Sequence, residues 1–441
     1  MKKYRILVGA GLCLLLIISW IVTITTKSVS EKQLVLISQA IELIENGIYI
    51  RAVPLLEEAA EFNAAHTLAA EEKLKELYLI LIENRGFSRK YTNILEKQMS
   101  RNDATPAVFI EAANFYIETS RLHNAFFVMR DGIYRTGDLE LYELYENSRY
   151  VYQLNRNAYD DVTAIYNGTI QVQQNGKWGI AASDGTIIIP CKYDKISNFH
   201  VDRAIVKSGH TIYAVDINNN RVALASPDVL DFGNFADDRV ALQIGDYRLR
   251  AKGYFELGTY MFEELGTYSN NFAAARINGK WGVVDRRENW LLPPEYDEII
   301  QDELGRCYAQ GAVFVRIGDF VYLYVNGNRM ESVYDDARPF QDGGFAAVKK
   351  DGKWGFIDTD GILRIEYFFD DALSFRQHLA AIKYGEHWGY INIYGNIVID
   401  AEFHAAKSFF DGNAPVLTDR GWQFITLLEY RKSGGELRLQ K

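Results

Sequence analysis

The feature that most restricts this chain is a two-residue phrase that returns at a fixed distance. Trp-Gly stands at Trp178-Gly179, Trp281-Gly282, Trp354-Gly355 and Trp388-Gly389. The last two copies are 34 residues apart (388 − 354 = 34), and the same step leads to Trp422 in RGWQFI (422 − 388 = 34). Three such units fit between Trp178 and Trp281 (281 − 178 = 103), with Tyr213 and Tyr247 where tryptophans are missing. Two fit between Trp281 and Trp354 (354 − 281 = 73), with Tyr322 between them. A period of about 20–50 residues is the signature of a repeat architecture, in which each unit buries its apolar face on the next. Eight units are expected.

The rest of the unit repeats as well. Tyr193, Tyr296, Phe369 and Phe403 each stand 15 residues after their tryptophan (193 − 178 = 15), and Asp194, Asp297 and Asp370 follow three of them. Pro190 and Pro293 come shortly before the aromatic. Phe199, Phe235, Phe272, Phe375 and Phe409 introduce short apolar runs such as RAIVK and LAAIK. Glycine turns such as KKDG and TDG punctuate these runs, which spells strand, turn, strand, turn, strand. Such a three-stranded meander needs a neighbour to cover its second face. A Trp supplies apolar area, and the Gly beside it lets another backbone approach closely. The recurring residues are therefore expected to be structural.

These phrases resemble the WG (KWG) repeat family over about residues 170–430, on GKWG, the DG turn and PxxYD of the first and fourth units. The resemblance implies an all-β array presented at a bacterial surface, without chemistry of its own. A propeller-like ring is expected in preference to an open superhelix, because closure removes exposed strand edges.

Before the array the pattern is helical. Apolar spacing breaks at Gly47, Gly86 and near Leu122, giving three helical hairpins with Pro54 expected in the first turn of the second helix. Residues 34–135 resemble tetratricopeptide repeats, most clearly at Ala112, Ala113, Tyr116, Leu122, Ala125, Phe126 and Ile133. That resemblance implies either a concave groove for a peptide or a spacer. Further upstream, Lys2, Lys3 and Arg5 precede Ile6–Thr26, which carries no charge. Those 21 residues (26 − 6 + 1 = 21) make a helix of about 31 Å, enough to cross a bilayer core. With no Ala-x-Ala site following, the segment is expected to be an uncleaved signal anchor with the N-terminus in the cytoplasm. The expected organisation is thus a cytoplasmic stub (1–5), a transmembrane anchor (6–26), an α-helical region (31–166), a β-repeat domain (167–430) and a tail (431–441).

Chemical motifs are sparse. The net charge of −10 and the lack of a basic stripe argue against nucleic acid. Cys191 and Cys307 fall on different strands three units apart, so free thiols are expected rather than a disulfide. His378 and His387 have no third ligand supplied by the repeat, and no metal or cofactor is expected. DTDG at Asp358–Gly361 and DINNN at Asp216–Asn220 lack the ligands of a calcium loop and fit turns. Sequence-adjacent carboxylates, such as Asp237 with Asp238, Asp335 with Asp336 and Asp370 with Asp371, point to opposite strand faces and make no acid–base pair. The expectation is a non-catalytic, membrane-anchored scaffold of the cell envelope that binds a protein. A cell-wall glycan module is the alternative, and a hydrolase using Asp or Glu a lesser one.

Overall fold

The computed structural model describes residues 27–429 except 63, 85, 223–228, 246, 253–255 and 258–259. The expected anchor, 6–26, and the tail, 431–441, lie outside the described residues. Among the described residues no helix is long and apolar enough to cross a membrane. The chain divides into two compact units, with the division between Leu144 and Tyr145.

The first unit is helical. Its helices are α1 (27–45), α2 (Tyr49–Glu61), α3 (Thr67–Ile80), α4 (Phe87–Met99), α5 (Pro106–Glu118), α6 (Leu122–Thr136) and α7 (Leu139–Ser148), the last running across the division. Gly47 and Gly86 break the first two pairs at φ 72° and 95°, a left-handed backbone that glycine adopts without strain. Pro54 lies deeper than expected. Because α2 starts at Tyr49, Pro54 sits in its second turn, where the N–H it lacks would have bonded the carbonyl of the exposed Ile50. Ala112, Ala113, Tyr116, Ala125, Phe126 and Ile133 are all buried where α5 packs on α6. Each fully buried side chain of Phe size contributes about 1.5–3 kcal/mol. Buried Gln33 joins three helices: its Nε2 donates to Ala59 O at 2.8 Å and to Thr67 Oγ1 at 3.0 Å, and its Oε1 accepts from His66 N at 2.9 Å.

Among the described residues the second unit forms eight four-stranded antiparallel sheets, none closed on itself. The first shows the pattern: Asp161–Val162, Thr169–Gln174, Lys177–Ala182 and Ile187–Tyr193, in that spatial order. Four strands replace the expected three. The additional strand is only two residues long in most sheets (Lys195–Ile196, Asp336–Ala337, Asp371–Ala372), too short for alternation to reveal it. The helix-to-strand boundary also lies earlier than residue 167, since Tyr152–Leu154 and Asp161–Val162 are already strands.

The last sheet fixes the topology. Its own residues supply Ala405–Ala406, Asn413–Thr418 and Gly421–Leu427, while its fourth strand is Tyr152–Leu154, from before the first sheet. Tyr159 then bonds Trp422 in both directions at 2.9 Å. The two ends of the array are therefore hydrogen-bonded into one sheet, a propeller-like arrangement in which Gly421–Leu427 is an inner strand and the edge left at the join is only three residues long.

Candidate functional site

The recurring residues are consumed by the fold. Trp178, Trp281, Trp354 and Trp388 lie on third strands, directly opposite Tyr193, Tyr296, Phe369 and Phe403 on the fourth. The fourth strand bulges over the adjacent glycine. A Cβ on Gly179, Gly282, Gly355 or Gly389 would stand 2.4, 2.5, 2.7 and 2.5 Å from the carbonyl oxygens of Ile189, Leu292, Ile365 and Ile399. The Trp-Gly phrase thus exists because the strand crossing behind it leaves no room for a side chain. Trp faces are covered too: Arg338 lies 4.8 Å over Trp354 and Lys407 5.4 Å over Trp422. In the last sheet Tyr159 takes the place of the fourth-strand aromatic opposite Trp422.

The aspartates after the aromatics link one unit to the next. Asp297 accepts from Lys280 Nζ at 2.6 Å and from Gly318 N at 2.8 Å; Asp370 repeats this with Lys353 (2.6 Å) and Gly385 (2.8 Å). Asp194 pairs with Lys177 and accepts from Gly209 N at 2.6 Å. These donors hold the three carboxyls below the usual carboxylate range: the lysine bond comes first for Asp194 and Asp370, the glycine N–H first for Asp297. Asp358 and Asp216 are turn residues, accepting from Ile362 N and Asn220 N at 3.0 and 2.8 Å.

Tyr213, Tyr247 and Tyr322 do not occupy tryptophan positions. Tyr213 pairs with Val206 and Tyr322 with Val315, the register in which Gly179 pairs with Val172. Ile212 and Val321 hold the tryptophan places, and Tyr247 stands one residue short. Fixed-interval counting cannot tell an aromatic at the repeat position from one that stands a residue to either side of it. Likewise Tyr268, not Phe272, fills the slot of Phe199, because Ser269 bridges Phe272 as His200 bridges Arg203.

What varies from unit to unit comes together at the centre. One cavity of about 550 Å³ is lined by residues of all eight sheets, among them Tyr166, His200, Asp237, Arg306, Arg376 and Phe410. Tyr166, His200, Ser269, Ala309, Arg376 and Phe410 each begin the same bridge at the turn between first and second strands. One backbone position therefore presents a different side chain from each of six units. The turns beside them include consecutive left-handed residues, such as Asn270 (φ 49°) and Asn271 (φ 74°), the pairing of a type I′ hairpin.

An insertion fills the middle. Asp297 bonds Gly318 across 21 positions (318 − 297 = 21), where Asp370 bonds Gly385 across 15 (385 − 370 = 15). The extra residues carry Asp302–Cys307. Leu304 packs with Ala164, Tyr166 and Ala236, and its carbonyl accepts from Asn234 Nδ2 at 3.3 Å and Thr267 Oγ1 at 2.5 Å. Asp302 accepts from Leu304 N and Arg306 N and forks onto the Arg306 guanidinium at 2.6 and 2.7 Å. Glu303 pairs with Lys407 of the last unit. Buried Cys307, its thiol pushed up to about 12 by burial, and Cys191 are both free thiols.

Arg376 lines the same cavity as this insertion's ion pair. It is 5% exposed, donates from Nη1 to Ile165 O at 2.8 Å, and lies 4.7 Å over Phe410. Its nearest carboxylate oxygen, on Asp342, is 3.9 Å away. Burial, then the like charge of Arg306, pulls this guanidinium down to about 10.

The helical unit has a separate groove of about 400 Å³ over α3, α4 and α5, bordered by Leu68, Lys75, Gln98, Arg101 and Glu111. Charge there is matched. Buried Glu71 meets Arg101 at 2.7 Å and Lys97 at 3.0 Å; buried Lys75 meets Glu111 at 2.6 Å and Glu72 at 3.0 Å. His378 lies in a turn at φ 70° and His387 opens a strand.

Solved structures with similar coordinates include a eukaryotic initiation factor (12% identical, 56% of this chain and 77% of that one, TM-score 0.38). Kluyveromyces lactis Hsv2 (12%, 61% and 98%, TM-score 0.36) and the Neurospora crassa Pan2 WD40 domain (9%, 62% and 90%, TM-score 0.32) are others. At those scores the likeness carries no argument. No curated protein matches the chain. The model of the WG containing repeat matches residues 158–178, 180–209, 260–281, 281–303, 331–354, 354–386 and 388–422. Its first match contains Tyr159, the residue that closes the last sheet. The WG containing repeat therefore occurs seven times between residues 158 and 422, and it is in this region that the protein belongs to the WG repeat family.

Proposed function

We propose that this chain is a non-catalytic scaffold of the bacterial cell envelope, anchored through residues 6–26, whose β array binds a protein outside the membrane. One observation carries the reading: the residues that recur are spent on packing, whereas the position that differs between units lines a shared cavity. A surface that varies on an invariant frame is what recognition requires, and repeat arrays supply it over a large area. The anchor and orientation rest on Lys2, Lys3 and Arg5 before an uncharged stretch. A cell-wall glycan is the alternative ligand. It is favoured by Phe368 and Tyr384, exposed and stacked at 5.4 Å, which offer flat faces of the kind sugar rings pack on.

The test is crosslinking in intact cells followed by capture of the full-length protein, beside a chain lacking residues 31–144. A stoichiometric protein partner retained by the shorter chain supports the β array as the binding unit. A partner lost with the helices moves binding to their groove. No protein partner, with full-length protein retained on purified cell-wall glycan, establishes the alternative. Cleavage by protease added outside intact cells checks the orientation.

A further inference from the structure

We infer that the central cavity receives a carboxylate, carried on an acidic side chain of the partner protein, and that Arg376 holds it. The inference deepens the proposed function and rests on it only for the source of the carboxylate.

Two arginines, Arg306 and Arg376, line the one cavity. Arg306 is neutralised within its own turn by Asp302, at 2.6 and 2.7 Å. Arg376, buried to 5% exposure, has within 4 Å only the Asp342 oxygen, at 3.9 Å, on a side chain that is 56% exposed, with Asp302 and Asp411 acting on it from further away. A guanidinium has five N–H donors in a planar fork matched to a carboxylate. Of these, Arg376 spends Nη1 on Ile165 O, and among the described residues Nη2 has no hydrogen-bond partner. A buried cation without a close counter-ion is costly, and Arg306 adds repulsion. An incoming anion relieves both.

The surroundings select the kind of anion. The Phe410 ring lies under the guanidinium, its centroid 4.7 Å from Cζ, and packs against that side of it. Phe340 and Tyr308 give the same cavity apolar wall for methylene groups. Asp237, Asp302 and Asp342 also line it, so a dianionic phosphate meets more repulsion than a single carboxylate. Its volume of about 550 Å³ admits a side chain with water to spare.

The experiment titrates the full chain with a capped Ala-Glu-Ala peptide, its Ala-Gln-Ala counterpart and inorganic phosphate, by calorimetry at low salt. The Glu peptide is expected to bind, and the Gln peptide to bind at least about tenfold more weakly, as loss of a charged hydrogen bond predicts. Arg376→Met removes the preference. Asp342→Asn, which deletes the competing carboxylate, tightens the Glu peptide by about threefold, a gain that a merely bracing Arg376 would not give. Equal affinity for the two peptides, phosphate binding tighter than the Glu peptide, or an Asp342→Asn variant no tighter than wild type each overturns the inference. Partner capture unchanged in Arg376→Met leaves the proposed function standing and removes this one. Glu-peptide binding through Arg376, with no protein partner in cells, does the reverse.

Discussion

The helical unit and the β ring both bury charge, and they treat it in opposite ways. Around Glu71 and Lys75 every buried charge has two counter-ions, at 2.6 to 3.0 Å. In the ring, Arg306 is satisfied while Arg376 is left with a distant, half-hydrated partner. In the helical unit the balance is made between helices: Lys97 and Arg101, at and just past the end of α4, reach Glu71 on α3, and Glu111 on α5 reaches Lys75, with only Glu72 on the same helix. The ring's centre is assembled from eight units far apart in sequence, and its residues are chosen by what they face across the cavity. Buried charge on its own is thus a poor pointer to a site; incompletely paired buried charge is a better one.

The largest expected effect separates the units by topology. Deleting residues 150–155 removes the strand that completes the last sheet and bares Gly421–Leu427 as an edge. The ring's thermal midpoint should fall by about 10 °C and the protein should self-associate, while a helical transition stays where it was. Calorimetry with light scattering checks both. A ring unmoved by the deletion would mean that the closing strand is dispensable.

Glycine substitutions sharpen the contrast at single-atom level. A Cβ at Gly389 would meet only backbone, Ile399 O at 2.5 Å and Ala401 N at 2.8 Å. Gly389→Ala should cost about 3 kcal/mol. At Gly132, in α6, the obstacles are the Leu141 and Phe109 side chains, at 2.4 and 2.7 Å. There the clash is offset by about 1 kcal/mol of helix propensity, and a net cost of about 1 kcal/mol is expected in denaturant melts.

A third pair of variants tests the charges directly. Glu71→Ala strips a buried acceptor from Arg101 and Lys97 and should destabilise by about 2 kcal/mol. Arg376→Met, an apolar replacement of similar length, should cost about 1 kcal/mol at most, the price of an unpaired Ile165 carbonyl. The reverse order of costs would show that Arg376 braces the ring rather than awaiting a ligand.

How much of this could be read in advance differs by region. The Trp-Gly, aromatic and Asp positions were legible because each makes the same contact in several units, and so recurs at multiples of one interval. The ring closure had a signal that interval counting passed over: Tyr159-Asp160 repeats the Tyr193-Asp194 phrase ahead of the first unit, whereas no such phrase follows Trp422. The cavity had none. Tyr166, His200, Arg376 and Phe410 share a position, but no residue type, and a period search sees only sameness. The short first strands and the one-residue offsets of Tyr213 and Tyr322 were hidden for a related reason, since hydrogen-bond register is finer than any apolar pattern.

The smallest effect expected is a pH dependence confined to the ring. Asp194, Asp297 and Asp370 are held below their ordinary value of 3.8 by a lysine and a glycine N–H of the next unit. A carboxyl with a lowered folded pKa binds its proton more readily in the unfolded chain, so the stability it gives is complete above about 3.8 and disappears as pH falls through the lower folded value. All three are solvent-accessible, which keeps the contribution small and salt-sensitive. Between pH 6 and pH 3 the ring's thermal midpoint should therefore fall more in wild type than in the triple Asp→Asn variant, and the two curves should draw together at the acid end. Parallel curves would mean that these aspartates position the turns through neutral hydrogen bonds, and that the units are joined by shape and not by charge.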